Sequence, residues 1–382
     1  MDVALSAHNL LGRVRELPES TATAAEAARA IGCDVRQIVK TLLFRTRDSS
    51  APVLVLSSGA HRVDEAWMAH YAGEPLVRAD PEYVRSVTGF AIGGVPPVGL
   101  TTPLSPLIDY DLLELREIWA AAGHPRAVCR LTPAELLRIT RGRPVSVVPL
   151  RHDDGGPWVT FDCYGTLVDW RAGLLGQFRR IVAERADVDP EGLFERYLRE
   201  EKVLEAGSYQ SYRDVVAEAA VRAAQGAGVE LAPNRAREIP QSIPEWPPFD
   251  DTRTALATLT RNGFRIAVLS NIDTDLLKQS LARLGVQPDC LVTAEDVRSY
   301  KPAWAHWIRF LKQTGTRPED VWHVSASYEY DVEPARSLGF RTVFVERYGK
   351  SPVEEAAELT VPGLTELAQR VSTKPPPVAG GG

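Results

Sequence analysis

Four segments in the second half of the chain end, or carry just beyond an apolar run, a side chain that can do chemistry. Asp162 closes "WVTFD", Ser270 and Asn271 close "FRIAVLSN", Lys301 lies in "SYKPAW", and Asp331 ends "SASYEYD". An aspartate carboxylate can attack a carbon centre and carry a covalent intermediate. A lysine beside it keeps it ionised and orients it. A hydroxyl and amide pair can donate hydrogen bonds to a substrate anion. Thr166, in "FDCYGTL", places a further hydroxyl four residues after Asp162. Taken singly, Asp162 reads as a helix cap and Lys301 as a solvated surface charge. It is the set of four that argues for a site. Trp304, His306 and Trp307 lie close to Lys301 in sequence and read as packing residues rather than ligands.

The first half carries a looser constellation. Lys40 sits in "QIVKTLLF", and "FAIGGVPPVGL" holds Gly93, Gly94, Pro97 and Gly99. Glycines admit positive φ and close backbone approach, and prolines stiffen the loop. Such a loop can turn N–H groups toward a carbonyl or phosphate. A plain Gly/Pro turn is the competing meaning of that stretch.

These residues need elements to position them. The second half reads as strand, long helical block, then alternating strands and helices. Its strands are "WVTFD", "FRIAVLS", "CLVTA", "VWHVSA" and "RTVFVE", with "DDTRTALATLTRNG" and "AHWIRFLKQTG" as helices between them. Near-continuous apolar strands alternating with helices predict an α/β, doubly wound parallel sheet, with chemistry gathered at the carboxyl ends of its strands. The block from about 171 to 240 is helical and rich in Arg and Glu, and is expected to be an inserted cap. The first half is a mixed α+β pattern. Thr23 and Glu26 fit a capping box before "AAEAARAIG". "PVLVLSS" reads as a buried strand, "DLLELREIWAAAG" as an amphipathic helix ending at Gly123, and "TPAELLRIT" as a helix capped by Thr132. The polar, Gly-rich stretch after "RGRPVSVVPL" places a domain boundary near 150–156, dividing the chain into 1–150 and 151–371. "STKPPPVAGGG", 372–382, reads as a disordered tail.

Composition narrows the functional classes. At 382 residues, 44% hydrophobic and 25% charged, the chain can build two or three cored domains of about 150 residues each. Residues 1–150 hold 16 basic and 16 acidic side chains, so the whole net charge of −6 falls in the second half. Neither half is a basic nucleic-acid glove. No apolar run approaches the ~20 residues of a membrane span, and no secretory leader is read at the start. The four cysteines are scattered, with no CxxC pair. That argues against a disulfide framework or zinc site and makes the cytoplasm the expected compartment.

Over roughly 157–370 the order "FDxYGTL", "SN", "KP" and late "D" resembles the haloacid dehalogenase (HAD) superfamily, closest to the type II 2-haloacid dehalogenase branch. The resemblance implies a Rossmann-like sheet with a helical cap. It also implies that Asp162 attacks C2 of a 2-halo acid, expelling halide, and that water then hydrolyses the ester. Thr166, Ser270, Asn271, Lys301 and Asp331 would support that step, with Tyr164 and the cap residue Arg199 toward the substrate. Phosphatases of the superfamily usually have Asp where Tyr164 stands, to protonate a leaving alcohol. Halide needs no such proton. They also usually have an acid five residues before the final Asp, where this chain has Ala326. No cofactor is therefore expected, with Mg²⁺ held open for a phosphatase-like activity. Arg199 falls about one residue from the place of the usual substrate-gripping arginine, with Glu200 nearer it. Related dehalogenases dimerise, so a homodimer is a further expectation.

Over about 5–147, the Gly/Pro loop with "QIVKTLLF", "VLSSGAHRVD", "RADPEYV" and "LIDYDL" resembles the YbaK/ProX-type aminoacyl-tRNA editing domain. The resemblance implies hydrolysis of mischarged aminoacyl-tRNA in trans, without protein nucleophile or metal. Lys40 would approach the acyl-tRNA, and the loop from Gly93 to Gly99 would bind the aminoacyl carbonyl and terminal ribose. His61, Arg62, Thr88 and Asp109 are further pocket or tRNA contacts. Val128, close to His124, stands where cysteinyl-specific members carry Asp, leaving the edited amino acid open. The neutral charge of this half predicts weak, transient tRNA binding.

Two readings follow. In the first, the chain is a bifunctional hydrolase acting on tRNA-borne esters and on a small halo acid. In the second, the first half only binds acyl-tRNA or an amino acid, and the HAD half is a Mg²⁺-dependent phosphatase or a hydrolase of another substrate.

Overall fold

The computed structural model describes residues 5–8, 10, 12–17, 23–150, 155–183, 187–350, 353 and 357–371. The expected tail, 372–382, and part of the expected boundary stretch lie outside the described residues. The chain forms two compact units, Met1–Leu150 and Arg151–Gly382.

The first unit is built on an eight-stranded mixed sheet. Its strands are β1 (Val14–Glu16), β2 (Ile38–Thr46), β3 (Pro52–Ser58), β4 (Leu76–Arg78), β5 (Leu107–Asp109), β6 (Ile118–Ala121), β7 (Ala127–Leu131) and β8 (Arg143–Val145). They run β1-β7-β6-β2-β3-β5-β8, with β4 also on β2. The long β2–β3 hairpin is the spine and sets Lys40 opposite Ser57. Val55, Leu54, Leu56 and Ile108 are buried along it, so apolar burial fixes its register. Thr23 and Glu26 form the expected capping box on the Ala24–Ile31 helix, and Thr132 caps Pro133–Thr140 in the same way.

One element differs from expectation. "DLLELREIWAAAG" is not a helix to Gly123. Only Tyr110–Leu113 is helical, and Ile118–Ala121 is the strand β6. Two neighbours, β7 and β2, hydrogen-bond that strand along both edges. Ladder bonding and the burial of Ile118 and Ala120 outweigh the intrinsic helix preference of the three alanines.

The second unit is an all-parallel, six-stranded sheet flanked by helices. Its strands are β9 (Trp158–Phe161), β10 (Arg265–Ser270), β11 (Cys290–Thr293), β12 (Val321–Ser325), β13 (Arg341–Val345) and β14 (Leu359–Val361). The order is β11-β10-β9-β12-β13-β14. From β9 the chain steps outward to β10 and β11, then returns to the other side of β9 for β12. The switch point of the sheet therefore lies at the carboxyl end of β9, where Asp162 follows, and a crevice opens there by topology alone. All four residues of β9 are buried. A core of Phe161, Phe178, Tyr197, Leu259, Val268 and Leu277 continues from this sheet into the helical segment between β9 and β10. That segment holds the helices Trp170–Ile181, Pro190–Glu205 and Tyr212–Gly226, the expected cap.

Candidate active site

The turn after β9 is built around Asp162. Its N–H donates to the Val324 carbonyl at 3.1 Å, continuing the β9–β12 ladder by one residue. The chain then folds sharply. Gly165 has φ +107 and donates to the Val168 carbonyl at 2.7 Å, and a Cβ there would meet the Trp170 ring at 3.1 Å. Any other residue would be strained at that φ. The turn carries Thr166 back over the carboxylate. Its hydroxyl donates to Asp162 Oδ2 at 3.1 Å and accepts from the Ala326 N–H at 3.1 Å.

Lys301 reaches the same point from beyond β11. Its side chain is 1% exposed. Its ammonium donates to Asp162 Oδ1 at 3.1 Å, to Asp331 Oδ1 at 2.6 Å and to the Leu269 carbonyl at 2.6 Å, so all three protons are used. Asn271 braces the lysine backbone, accepting from its N–H at 2.7 Å and donating to its carbonyl at 3.3 Å. Asp331 lies on a single π-helical turn, Tyr328–Val332, just after β12. Such turns often mark functional sites.

His323 is part of this network, and sequence reading did not single it out. It is fully buried on β12, with Nε2 3.1 Å from Asp331 Oδ1 and Nδ1 2.8 Å from the Thr160 hydroxyl. The one available signal was a histidine inside an apolar strand, which more often marks a satisfied core residue. His306 and Trp307 are core residues as expected, both buried. Trp304 bonds Ser337 at 2.8 Å.

Charge in this cluster is uneven. Burial raises the Asp162 carboxyl to about 6, with Asp331 pushing the same way and Lys301 pulling it back. Burial also works against Asp331 ionising, but Lys301 and His323 outweigh it and hold that carboxyl down at about 2. Burial disfavours a charged Lys301, and the two carboxylates overcome it, so the ammonium is held more firmly than an ordinary lysine. Near neutral pH the cluster is an ion triad with one net negative charge, and Asp162 is its ionised but least stabilised carboxylate.

A cavity of about 550 Å³ opens over Asp162. Thr166, Ser270, Asn271, Lys301, Asp331 and Tyr164 all line it. The Tyr164 hydroxyl is turned aside, 2.7 Å from the Ser280 hydroxyl, with its ring edge-on to Trp246. From the cap, the Pro190–Glu205 helix presents Leu198, Glu201, Lys202 and Glu205, the spacing of one helix face. Arg199 is not among them. It is exposed, because the helix turns position 199 away from the face that 198, 201, 202 and 205 share.

A Mg²⁺ ion fits this cluster poorly. The two carboxylates it would use, Asp162 and Asp331, are already bridged by the Lys301 ammonium, and position 326 offers a methyl group. Among the described residues, the group of three His, Cys, Asp or Glu side chains close enough to share an ion is His61, Asp109 and Asp111, in the first unit.

In that first unit, Lys40 lines two cavities, of about 350 and 530 Å³. Burial lowers its ammonium pKa, and the Asp109 charge partly restores it. The ammonium donates to the His61 carbonyl. Asp109 is buried and accepts from the Ser58 N–H at 3.0 Å and the Asp111 N–H at 3.2 Å. The His61 ring spans Asp109 and Asp111, at 2.9 and 3.1 Å. His61 and Arg62 line the smaller cavity, and Gly93 lines both. Val128 and His124 line the larger one.

Three loop glycines and prolines do something else. Gly94 packs on the His124 backbone, where a Cβ would come within 3.4 Å. Pro97 is buried and Gly99 is exposed, and neither lines either cavity. Thr88 is likewise off the cavities, its buried hydroxyl donating to the Val84 carbonyl at 2.7 Å.

Against known proteins, residues 18–139 match the family described as aminoacyl-tRNA editing domain, and residues 158–339 match haloacid dehalogenase-like hydrolase. The second half is 23% identical to haloacetate dehalogenase H-2 of Moraxella sp. (strain B), over 56% of this chain and 97% of that one. The first half is 31% identical to the uncharacterized protein YwhH of Bacillus subtilis, over 32% of this chain and 78% of that one. Among solved structures, the L-2-haloacid dehalogenase of Xanthobacter autotrophicus with chloropropionic acid covalently bound is 21% identical, over 57% of this chain and 99% of that one, with a TM-score of 0.50. That likeness is one of fold.

Proposed function

Because the chain belongs to the aminoacyl-tRNA editing family through residues 18–139 and to the haloacid dehalogenase-like hydrolases through residues 158–339, we propose that it is a two-domain hydrolase divided at about residue 150. The second half works by covalent displacement at Asp162. The Asp162 carboxylate attacks the carbon bearing the halogen. A C–O bond forms, the C–X bond breaks, and halide leaves with the electron pair. Water then adds to the Asp162 ester carbonyl, the bond between that carbonyl carbon and the substrate oxygen breaks, and a hydroxy product leaves, with the carboxylate restored and one proton passed to solvent.

One observation carries this reading. Asp162 is a buried carboxylate with a cavity above it, oriented by Thr166 on one oxygen and by Lys301 on the other. Lys301 keeps it ionised, and Asp331 and His323 hold Lys301. Ser270 and Asn271 lie on the cavity wall where a substrate polar group would rest. No acid beside Asp162 is needed, because halide leaves without a proton. That agrees with Tyr164, whose hydroxyl is engaged by Ser280, and with Ala326. A dehalogenase relative supports halide as the leaving group.

The test is isotopic. In a single turnover in oxygen-18-labelled water, the label should enter the Asp162 side chain and not the product. Label appearing in the product first would mean direct attack by water and would reject the covalent route.

The first half hydrolyses the ester of a mischarged aminoacyl-tRNA, with Lys40 and Gly93 facing the acyl end. Val128 and His124 shape the larger of its two cavities, and the amino acid it removes is left open. Even charge in this half makes its hold on tRNA weak and transient. Among the described residues no helix is long and apolar enough to cross a membrane.

A further inference from the structure

The cap side of the catalytic cavity is acidic where an anionic substrate would need a cation. The Pro190–Glu205 helix turns Glu201 and Glu205, one helical turn apart, onto the space above Asp162 and Asp331. No arginine is among the residues that line that cavity. Its lysines are Lys301, committed to Asp162, Asp331 and a carbonyl; Lys202, 3.4 Å from Glu329; and the exposed Lys350. Five carboxyl groups, those of Asp162, Glu201, Glu205, Glu329 and Asp331, thus line the cavity against three ammonium groups, of which only that of Lys301 is buried.

Among the described residues, no Lys or Arg forms an ion pair with either cap glutamate. Glu201 accepts from the hydroxyls of Tyr197 and Tyr212, at 2.8 and 2.9 Å. Glu205 has the Asn271 side chain as a hydrogen-bond partner and feels the Lys301 charge from a distance. Tyr300 and Tyr330 lie close enough to feel the charge of both. All of these groups except Lys301 are neutral. Burial therefore raises both carboxyl pKa values, Glu205 well above the ordinary range, and the Glu201 charge adds to the rise at Glu205. A cation between them would relieve both the repulsion and the burial cost.

We infer that Glu201 and Glu205 form the receptor for an ammonium group on the substrate, so that the second site takes a small amine whose displaceable substituent points down at Asp162. This rests on the reading of the cavity as the active site. The aminoacyl group handled by the first half carries an ammonium too, so both halves would meet one chemical class. The opposite arrangement, protonated glutamic acids donating to a substrate carboxylate, has the reverse pH dependence. Ammonium binding favours the ionised acids and strengthens as pH rises. Carboxylate binding favours the protonated acids and strengthens as pH falls.

The experiment is calorimetric titration of the full chain with propylammonium and, separately, propionate, from about pH 6 to about pH 9. Propylammonium should bind about tenfold more tightly at the alkaline end, with affinity rising with pH. Glu205→Gln should weaken propylammonium about tenfold and leave propionate little changed. The pH trend in the parent chain stands independently of whether that variant folds. Tighter propionate binding that grows toward acid pH would overturn the inference. So would propylammonium binding that ignores Glu205→Gln in a folded variant, or no binding of either compound.

Halide release from 3-chloropropylammonium, with and without Asp162→Asn, reads the underlying assignment separately. Ammonium selectivity without Asp162-dependent release would reject the nucleophile and keep the receptor. Asp162-dependent release from 3-chloropropionate in preference to the amine would keep the nucleophile and reject the receptor.

Discussion

Lys301 and Asp331 form the tighter side of a buried ion triad, 2.6 Å apart, while Asp162 stands 3.1 Å from the same ammonium. The asymmetry assigns different duties to two carboxylates. Asp331, also bonded by His323, anchors the lysine. Asp162, less tightly held and facing the cavity, is the one free to react.

Replacing Lys301 should therefore damage both fold and turnover. Lys301→Met leaves Asp162 and Asp331 buried without their shared cation. Breaking one partner out of a buried ion network costs about 3–5 kcal/mol, so thermal unfolding should move down clearly. Halide release should fall by about two orders of magnitude or more, since the nucleophile loses its counter-charge. A variant with unchanged melting temperature and activity would show that the triad matters to neither.

The pH profile follows from Asp162. Its carboxyl is raised to about 6, and only the ionised form attacks. kcat/KM for halide release should rise with pH through about 6 and then level off, because below that value the nucleophile is protonated. The triad titrates as a unit, so the inflection belongs to the cluster. A profile flat down to about pH 4 would mean the reacting group is an ordinary carboxylate.

Arg199 offers a prediction of no effect. It lies on the solvent side of the Pro190–Glu205 helix, outside the cavity. Arg199→Ala should leave KM and kcat within about twofold, the range of surface substitutions away from special features, ±0.5 kcal/mol. A large rise in KM would return it to substrate binding.

In the first unit, Lys40 and Gly93 separate catalysis from architecture. Lys40→Ala should abolish deacylation of a mischarged tRNA while leaving the melting temperature nearly unchanged, since the side chain is only partly buried in a cavity wall. Gly93 has φ +87, with open space where a Cβ would stand. Gly93→Ala would be disfavoured by conformation alone, about 1–2 kcal/mol, and the loop should shift, lowering deacylation. If Lys40→Ala changes nothing because the parent does not deacylate, the first half is a binding module.

How much of this was legible in the sequence depended on the kind of element. The central strands β9 and β10 of the second sheet are buried on both faces, so they stand out as unbroken apolar runs. Asp162, Lys301 and Asp331 were legible because each follows or neighbours such a run. β14 was missed: three residues, Leu359–Val361, give no period to read. β6 was misread because its strand character comes from its ladders with β7, the next strand in the chain, and with β2, which is distant in sequence. His323 and the pair Glu201 and Glu205 were missed because their role is set by what faces them. A buried histidine looks like core, and glutamates on a helix look like a solvated surface until the opposite wall is known. Arg199, exposed and outside the cavity lining, is the converse case. An arginine near the expected place attracts the role, but a helix rotates by about 100° per residue, so one position decides whether it faces the site.

The most direct test is halide release from short 2-halo acids and halo amines in the presence of EDTA, comparing the parent chain with Asp162→Asn. Metal-independent displacement requires release by the parent that EDTA does not diminish, and none above background from Asp162→Asn. Release that persists in Asp162→Asn, or that EDTA abolishes, would contradict metal-independent displacement by Asp162.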